Sequence, residues 1–325
     1  MIKRLIIGIA VSTSVVAATV LGAHAQVDGK RLAHITLALN NPFVSAVAGA
    51  IEETSTQHGM TAQVFSGPFD AALQSRQIDD AIAQNYDALL VFPADPNALL
   101  PALTRAKAAG IPVFLVNSTI AEGHDDLFVS VIGTDQVEMG RIAAQQAAAA
   151  VAGREDAKVA VIAGSLSEST PQKRLAGFEQ AIGENPNMKI VAVEDARWDM
   201  ARSEQIAGQL FARFQASGGL DVVFGMADYM AFAVIQAAKS AGVPLGTGKG
   251  ELTVVSSDCH NLGINAILAG EQYSTIDSSP IRIGRSSVEA VVQHFGGQQL
   301  KKVDNLPIGP ITKENAEGFL NDCTF

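Results

Sequence analysis

After residue 30 the chain alternates short apolar runs with stretches whose apolar residues recur at helical spacing. Short apolar runs rich in β-branched residues predict buried strands, and the spacing of Phe43, Val47 and Ile51 predicts a helix. Strands are predicted at 32–39, 61–65, 88–92, 111–116, 159–163, 189–193, 222–224, 252–256 and 272–276. Helices are predicted between them, at 43–58, 70–84, 97–109, 171–182, 200–215, 229–241 and 262–268.

The order of these elements predicts the fold class. Strands that are apolar throughout and alternate with helices are typical of parallel sheets covered on both faces. Two successive blocks of this kind predict an α/β protein with two doubly wound parallel-sheet lobes. In such sheets ligands bind beyond the carboxyl ends of the strands, so the residues that follow each strand are the first candidates for a site.

The N-terminal segment is predicted to be an export signal. Lys3 and Arg4 precede an apolar run, 5–21, and Ala23-His24-Ala25 has the A-x-A pattern of a signal-peptidase site. We expect a signal peptide at 1–25, cleaved after Ala25, and an exported mature protein. The alternative is a transmembrane anchor, although the run is near the lower length limit for spanning a bilayer.

Composition narrows the function classes. The chain has 325 residues, of which 48% are hydrophobic and 17% charged, so it is not intrinsically disordered. Its net charge of -10, or -12 after loss of Lys3 and Arg4 (-10 minus 2), excludes a nucleic-acid binder held by a general basic field. Export permits a disulfide between Cys259 and Cys323. The alternative is two free thiols.

The motifs of catalysis and metal binding are missing from the sequence. The glycine-rich segment 246–250 lacks the spacing and the Ser or Thr of a phosphate loop. There is no G-x-S-x-G, no C-x-x-C and no H-E-x-x-H. We therefore expect no enzyme activity, no cofactor and no metal site.

The segments after the strands form a recognisable series: 39–43, 92–95, 109–113, 132–135 with Gly140, 174–178, 228–231, 257–258 and 275–280. In order and spacing this series resembles the ribose-binding-protein-like family of periplasmic solute-binding proteins that serve ABC importers. The resemblance implies two lobes joined by a three-crossing hinge, with crossings near Thr134, Ser278 and Asn305. The first lobe would comprise 27–134 plus 279–305, and the second 135–278 plus 306–325.

The same resemblance implies a function. The protein would be a monomeric periplasmic receptor that closes around one small sugar or polyol and passes it to an inner-membrane ABC permease, which has a separate ATPase. An alternative with the same fold is a ligand sensor for a chemotaxis or two-component partner. A sugar-responsive repressor would need a helix-turn-helix where the export signal stands, and an exported hydrolase would need an activated nucleophile. Nucleic acid is not an expected partner.

Four side chains carry the predicted site most directly. By resemblance, Asn41 would bond a ligand hydroxyl, or else be a turn residue before Pro42. Phe43 would pack on the sugar ring, or be the first core residue of its helix. Trp198 would stack on the other ligand face, or serve domain packing. Asp258 would accept hydrogen bonds from adjacent hydroxyls, or cap the helix near Leu262.

Further ligand positions follow from the same match: Asn117, Gln172, Asp228 and Ser278. Ser118 and Gln172 stand where family members carry arginines that clamp the ligand. Two charged donors are thereby lost. Ribose itself is therefore not the expected ligand, and the match favours another neutral sugar or polyol.

Overall fold

The computed structural model describes residues 27–325, and the predicted signal peptide at 1–25 lies outside them. The first lobe is built around the sheet strands β1 (Arg31–Ile35), β2 (Thr61–Phe65), β3 (Ala88–Val91), β4 (Val113–Val116), β5 (Ser130–Gly133) and β11 (Val303–Asn305). Its helices are α1 (Pro42–Gln57), α2 (Ala71–Ala83), α3 (Leu100–Ala108) and α9 (Pro280–Phe295).

The second lobe has the same construction. Its strands are β6 (Ala157–Ala163), β7 (Met188–Asp195), β8 (Val222–Gly225), β9 (Thr253–Val255), β10 (Ser274–Ile276) and β12 (Pro310–Thr312). Its helices are α4 (Gln136–Ala150), α5 (Ser169–Gly183), α6 (Met200–Gln215), α7 (Asp228–Ser240) and α8 (Asn261–Leu268).

The sheet topology confirms the predicted fold class. Strand order is β11-β5-β4-β3-β1-β2 in the first sheet and β12-β10-β9-β8-β6-β7 in the second. All neighbours are parallel except β10 and β12, which pair antiparallel. Strands β3, β4 and β8 are buried along their whole length, which explains why they are apolar throughout. Apolar clusters cover both faces of each sheet.

Between residues 27 and 325 the chain changes lobe three times, in the links β5–α4, β10–α9 and β11–β12. Each link lies near a crossing predicted from the sequence. Two of them touch, because the Oγ1 of Thr134 and the Oγ of Ser278 are 3.3 Å apart. The residue-level lobe boundaries stay a prediction, since the links belong to neither sheet.

The close contact between α4 and α5 depends on two glycines. A Cβ added to Gly140 would clash with the carbonyl oxygen of Arg174, and one added to Gly177 would clash with the carbonyl oxygen of Val137. The two helix backbones therefore approach closely, and this contact fixes the start of α5, which faces the other lobe. Within 27–325, no helix is both long and apolar enough to cross a membrane.

Candidate ligand-binding cleft

A cleft lies between the two lobes, beyond the carboxyl ends of strands from both sheets. The space between its side chains is about 420 Å³, including the part that is open to solvent. The first lobe lines it with Leu37, Asn41, Phe43, Val44, Phe69, Phe92 and Asn117, and the second with Glu168, Thr170, Arg174, Trp198, Tyr229 and Asp258.

Side-chain hydrogen bonds join the lobes on either side of this cleft. The Nδ2 of Asn41 donates to the hydroxyl of Tyr229 at 3.2 Å. Elsewhere on the rim the hydroxyl of Ser118 is 3.0 Å from that of Ser169 and accepts from Thr170 at 3.3 Å. These hydrogen bonds bridge the two lobes at the rim of the cleft.

Asn41 has both roles that the sequence left open. Its Oδ1 caps α1 by accepting from the backbone N–H of Phe43 at 3.0 Å and of Val44 at 3.2 Å. Its Nδ2 is the interlobe donor, so both ends of the amide have protein partners. Phe43 likewise packs in the apolar core of its lobe and lines the cleft.

The position of Trp198 is fixed by its backbone conformation and by a hydrogen bond from its indole ring. Trp198 and the preceding Arg197 both have left-handed backbone conformations, with φ of 57° and 54°. This turn after β7 directs the indole into the cleft, where a Cβ added to Gly164 would fall within the ring. The indole Nε1 donates to the two carboxylate oxygens of Glu168 at 3.2 and 3.3 Å.

Asp258 lies in the cleft and does not cap α8. His260 is the cap, because its Nδ1 accepts from the N–H of Leu262 at 3.0 Å. The Oδ1 of Asp258 instead pairs with Arg174 at 3.4 Å. Burial raises the pKa of Asp258 to about 6, against the opposing effect of that guanidinium.

Arg174 is bound almost entirely by protein groups. Its guanidinium donates to Gln136 Oε1 at 3.0 and 2.7 Å, to Ser257 Oγ at 2.9 Å and to the carbonyl of Met226. It is 3% exposed, and burial lowers its pKa from the usual value. Arg174 therefore lines the cleft as a fixed, already bonded charge.

Asn117 presents an unsatisfied acceptor to the cleft. Its backbone has a left-handed φ of 60°, and its side chain is buried. The Oδ1 has no hydrogen-bond partner among the described residues. A buried amide oxygen without a donor is costly, so this atom is a natural contact for a ligand N–H or O–H.

Three predicted ligand residues do not line the cleft. Gln172 is exposed and donates to the carbonyl of Leu166 at 2.8 Å. Ser278 lies at the hinge beside Thr134. Asp228 accepts from Ser256 and from the backbone N–H of His260 at 2.7 Å, behind the cleft wall, and its burial raises its pKa to about 7.

Sequence reasoning did not name Glu168, Thr170, Arg174 or Tyr229 as ligand residues, although all four line the cleft. Glu168 is at the N-terminus of α5, in the segment that follows β6, so the strand-end rule could have found it. Burial raises the pKa of Glu168 to about 7, and hydrogen bonds from Ser165 and Trp198 only partly offset this.

The Cys259–Cys323 disulfide stands directly beside the site. The two Cα atoms are 4.9 Å apart. Cys259 follows Asp258, and both have positive φ, 60° and 106°. The bond also brings the C-terminal segment to the cleft rim, where the Phe325 ring is 6.3 Å from that of Phe43 and 4.8 Å from that of His260.

No group of three or more His, Cys, Asp or Glu side chains that could hold a metal ion occurs in the part of the chain that the structure describes. The side chains of the cleft provide hydrogen-bond acceptors, one guanidinium and aromatic faces. They are suited to holding a small polar molecule.

Comparison with known proteins places this architecture in a family. A ribose import binding protein of Bacillus subtilis is 26% identical over 83% of this chain and 83% of its own length. A putative rhizopine-binding protein of Rhizobium meliloti is 25% identical over 98% of both chains. The binding protein of the arabinose ABC transporter of Shewanella sp. ANA-3, solved with L-arabinofuranose, superposes with a TM-score of 0.83 at 25% identity, covering 90% of this chain and 95% of its own. The model of the periplasmic binding protein domain matches residues 32–299, so this chain belongs to the periplasmic binding protein family.

Proposed function

We propose that this chain is an exported receptor that captures a small sugar or polyol in the cleft and delivers it to an ABC importer. The observation that carries the proposal is the buried, unpartnered Oδ1 of Asn117, a residue that lines the same cleft as Glu168 and Asp258 of the other lobe. These acceptors converge on one enclosed space between two lobes. A polyhydroxylated molecule supplies the donors that they lack.

The aromatic side chains complement these acceptors. The indole of Trp198, with Phe43, Phe69 and Phe92 across the cleft, offers flat apolar faces to the C–H side of a sugar ring. Binding would stabilise the closed arrangement because the ligand would contact both lobes at once. Importers could then recognise the loaded form by the surface that closure creates.

The relatives support the ligand class and the compartment. One relative is named for ribose import and another for rhizopine binding, and the solved arabinose-transporter protein holds a sugar. By this relationship we propose a monomer in the periplasm, released by cleavage after Ala25, that works with a permease and a separate ATPase. The intact mass of the exported protein tests the cleavage site. We propose no catalytic role, so the ligand should be recovered unchanged from the cleft.

The structure changes the sequence-based argument about charge. A neutral ligand was expected because Ser118 and Gln172 replace two arginines. The cleft contains Glu168 and Asp258 against the single guanidinium of Arg174, so its balance is acidic rather than neutral. No observation favours the sensor alternative over transport.

Thermal unfolding with a carbohydrate panel tests the proposal. Pentoses, hexoses and short polyols should include at least one that raises the unfolding temperature, since a ligand at 100 times its Kd adds about 2.7 kcal/mol. Asp258→Ala should abolish this shift, and Asp80→Ala, at an exposed position on α2, should keep it. Failure of every carbohydrate and polyol, or an unchanged shift in Asp258→Ala, would contradict the proposed site.

A further inference from the structure

The charges of the cleft do not balance. Its lining contains two carboxylates, Glu168 and Asp258, and one guanidinium, Arg174. Arg174 is already paired with Asp258 and bonded to Gln136, Met226 and Ser257. The positive charge in the cleft is therefore committed to one of the two carboxylates.

Glu168 has no cationic partner. Among residues 27–325, no lysine, arginine or histidine nitrogen lies within 4.0 Å of its carboxylate. Its donors are the indole N–H of Trp198 and the hydroxyl of Ser165, and Asp195 adds a repulsive charge nearby. The residue is only 9% exposed. Since buried carboxylates are normally paired with a cation, this one lacks its counterpart.

The cleft also contains hydrogen-bond acceptors that lack donors. Asn117 Oδ1 has no donor, and the Glu168 carboxylate receives only neutral ones. Nearly all the donors of Arg174 are used within the protein. Glu168, Asp258 and the Oδ1 of Asn117 thus offer acceptors to the cleft, and a ligand complementary to them is rich in donors and carries positive charge. A primary ammonium provides three N–H donors and one unit of charge on a single atom.

We propose that the ligand of this cleft is a sugar or polyol bearing one primary ammonium group, an amino sugar or aminocyclitol, and that the Glu168 carboxylate receives this group. The inference rests on the proposed function, because it assigns the charge of the same ligand. Glu168 is then the specificity-determining residue, while Asn117, Asp258 and the aromatic faces hold the hydroxylated ring. The alternative is an uncharged sugar or polyol that binds while the carboxyl group of Glu168 is protonated.

Matched pairs of ligands separate these assignments. Calorimetric titration at pH 7 would compare D-glucosamine with D-glucose, D-galactosamine with D-galactose, D-mannosamine with D-mannose, and an amino-deoxy-inositol with its parent inositol. N-acetyl-D-glucosamine is the control that retains the nitrogen without its charge. We expect at least one amine to bind tenfold or more tightly than its neutral partner, and N-acetylation to remove that advantage.

Two variants locate the effect. Glu168→Gln retains the shape and the acceptor oxygen but removes the charge, and it should reduce the preference for the amine at least tenfold. Glu179→Gln makes the same change in net charge at an exposed position on the same helix and should leave the preference intact.

Each outcome decides between the claims. If no amine binds more tightly than its neutral partner, or if the preference survives Glu168→Gln, the ammonium assignment is overturned and the sugar receptor still stands. If no member of any pair binds, and the wider carbohydrate panel fails as well, the proposed function falls together with the inference.

Discussion

The Nδ2 of Asn41 in the first lobe donates to the hydroxyl of Tyr229 in the second, at 3.2 Å. The same hydroxyl donates to the carbonyl of Trp198 at 3.2 Å. A single phenol therefore connects the N-terminus of α1 to the loop that directs the indole into the cleft. Lobe closure and the shape of the ligand site are coupled through this group.

Tyr229→Phe should weaken ligand binding. The substitution leaves the Asn41 amide and the Trp198 carbonyl without a partner, which costs about 1 to 3 kcal/mol. We expect the affinity measured by calorimetry to fall about fivefold or more, because the closed form loses an interlobe bond. Tyr273→Phe, at a partly buried position that packs against the core of the second lobe, is the matched control and should bind normally. Equal affinity in the two variants would show that the Asn41–Tyr229 bond does not stabilise closure.

Gly164→Ala should displace the indole. An added methyl group at this position would fall within the Trp198 ring, so the side chain must move out of the cleft. We expect a loss of affinity of about tenfold or more, which corresponds to 1.4 kcal/mol, and a changed emission spectrum from the only tryptophan. Gly208→Ala, on α6 with open space around it, should bind normally and gain about 0.5–1 kcal/mol of stability. Unaltered emission and affinity in Gly164→Ala would remove Trp198 from the site.

The pH dependence of binding should follow the ionisation of Glu168. Its pKa is raised to about 7, so the carboxylate that pairs with an ammonium is formed as pH rises through that value. From pH 6 to 8 the ionised fraction rises about tenfold, and affinity for the amine should rise with it. Asp258 and Asp228 titrate nearby, with pKa values of about 6 and 7, and Asp195, Tyr229 and Arg174 also face this region.

Glu168→Gln separates the effects of these ionisable groups on binding, because it removes the carboxyl group at position 168 and leaves the other groups unchanged. Its affinity for the amine should change much less between pH 6 and 8 than that of the unmodified protein. Parallel curves for the two proteins would assign the pH dependence to another group.

Removal of the disulfide should reduce both stability and binding. The bond closes a loop of 64 residues, so Cys259→Ser with Cys323→Ser should lower the free energy of unfolding by about 4 kcal/mol in the chain-entropy model. Affinity should also fall, because the bond anchors the residue next to Asp258. Denaturant unfolding and ligand titration of the double variant measure the two effects. An unchanged unfolding midpoint would mean that the crosslink does not constrain the unfolded chain.

The sequence predicted most of the central elements of both lobes because buried parallel strands are continuous apolar runs. It did not predict β5, α4, α9, β11 or β12. Strands β11 and β12 are three residues each at sheet edges, and Ile311 is their only buried residue, so no apolar run marks them. Helix α4 follows β5 after a short link. It is alanine-rich, so its buried and exposed faces differ little in hydrophobicity.

Positions that follow a strand were placed at the cleft more reliably than positions on a helix, where rotation decides which side chain faces the ligand site. Asn41, Asn117, Trp198 and Asp258, which the resemblance assigned to the site, all follow strands and line the cleft, and their contact with a ligand stays a prediction. On α5, however, Gln172 and Arg174 are two residues apart, or about 200° around the helix, so one is exposed and the other faces the cleft. Asp228 and Tyr229 at the start of α7 are separated in the same way, by about 100°.

A crystal structure of the protein with the carbohydrate that most raises its unfolding temperature tests the central claim most directly. The account predicts one ligand between the lobes, its ring against the indole of Trp198, with donors to Asn117 Oδ1 and to the carboxylates of Glu168 and Asp258. A ligand bound outside the cleft, or inside it without contact to these residues, would contradict the account.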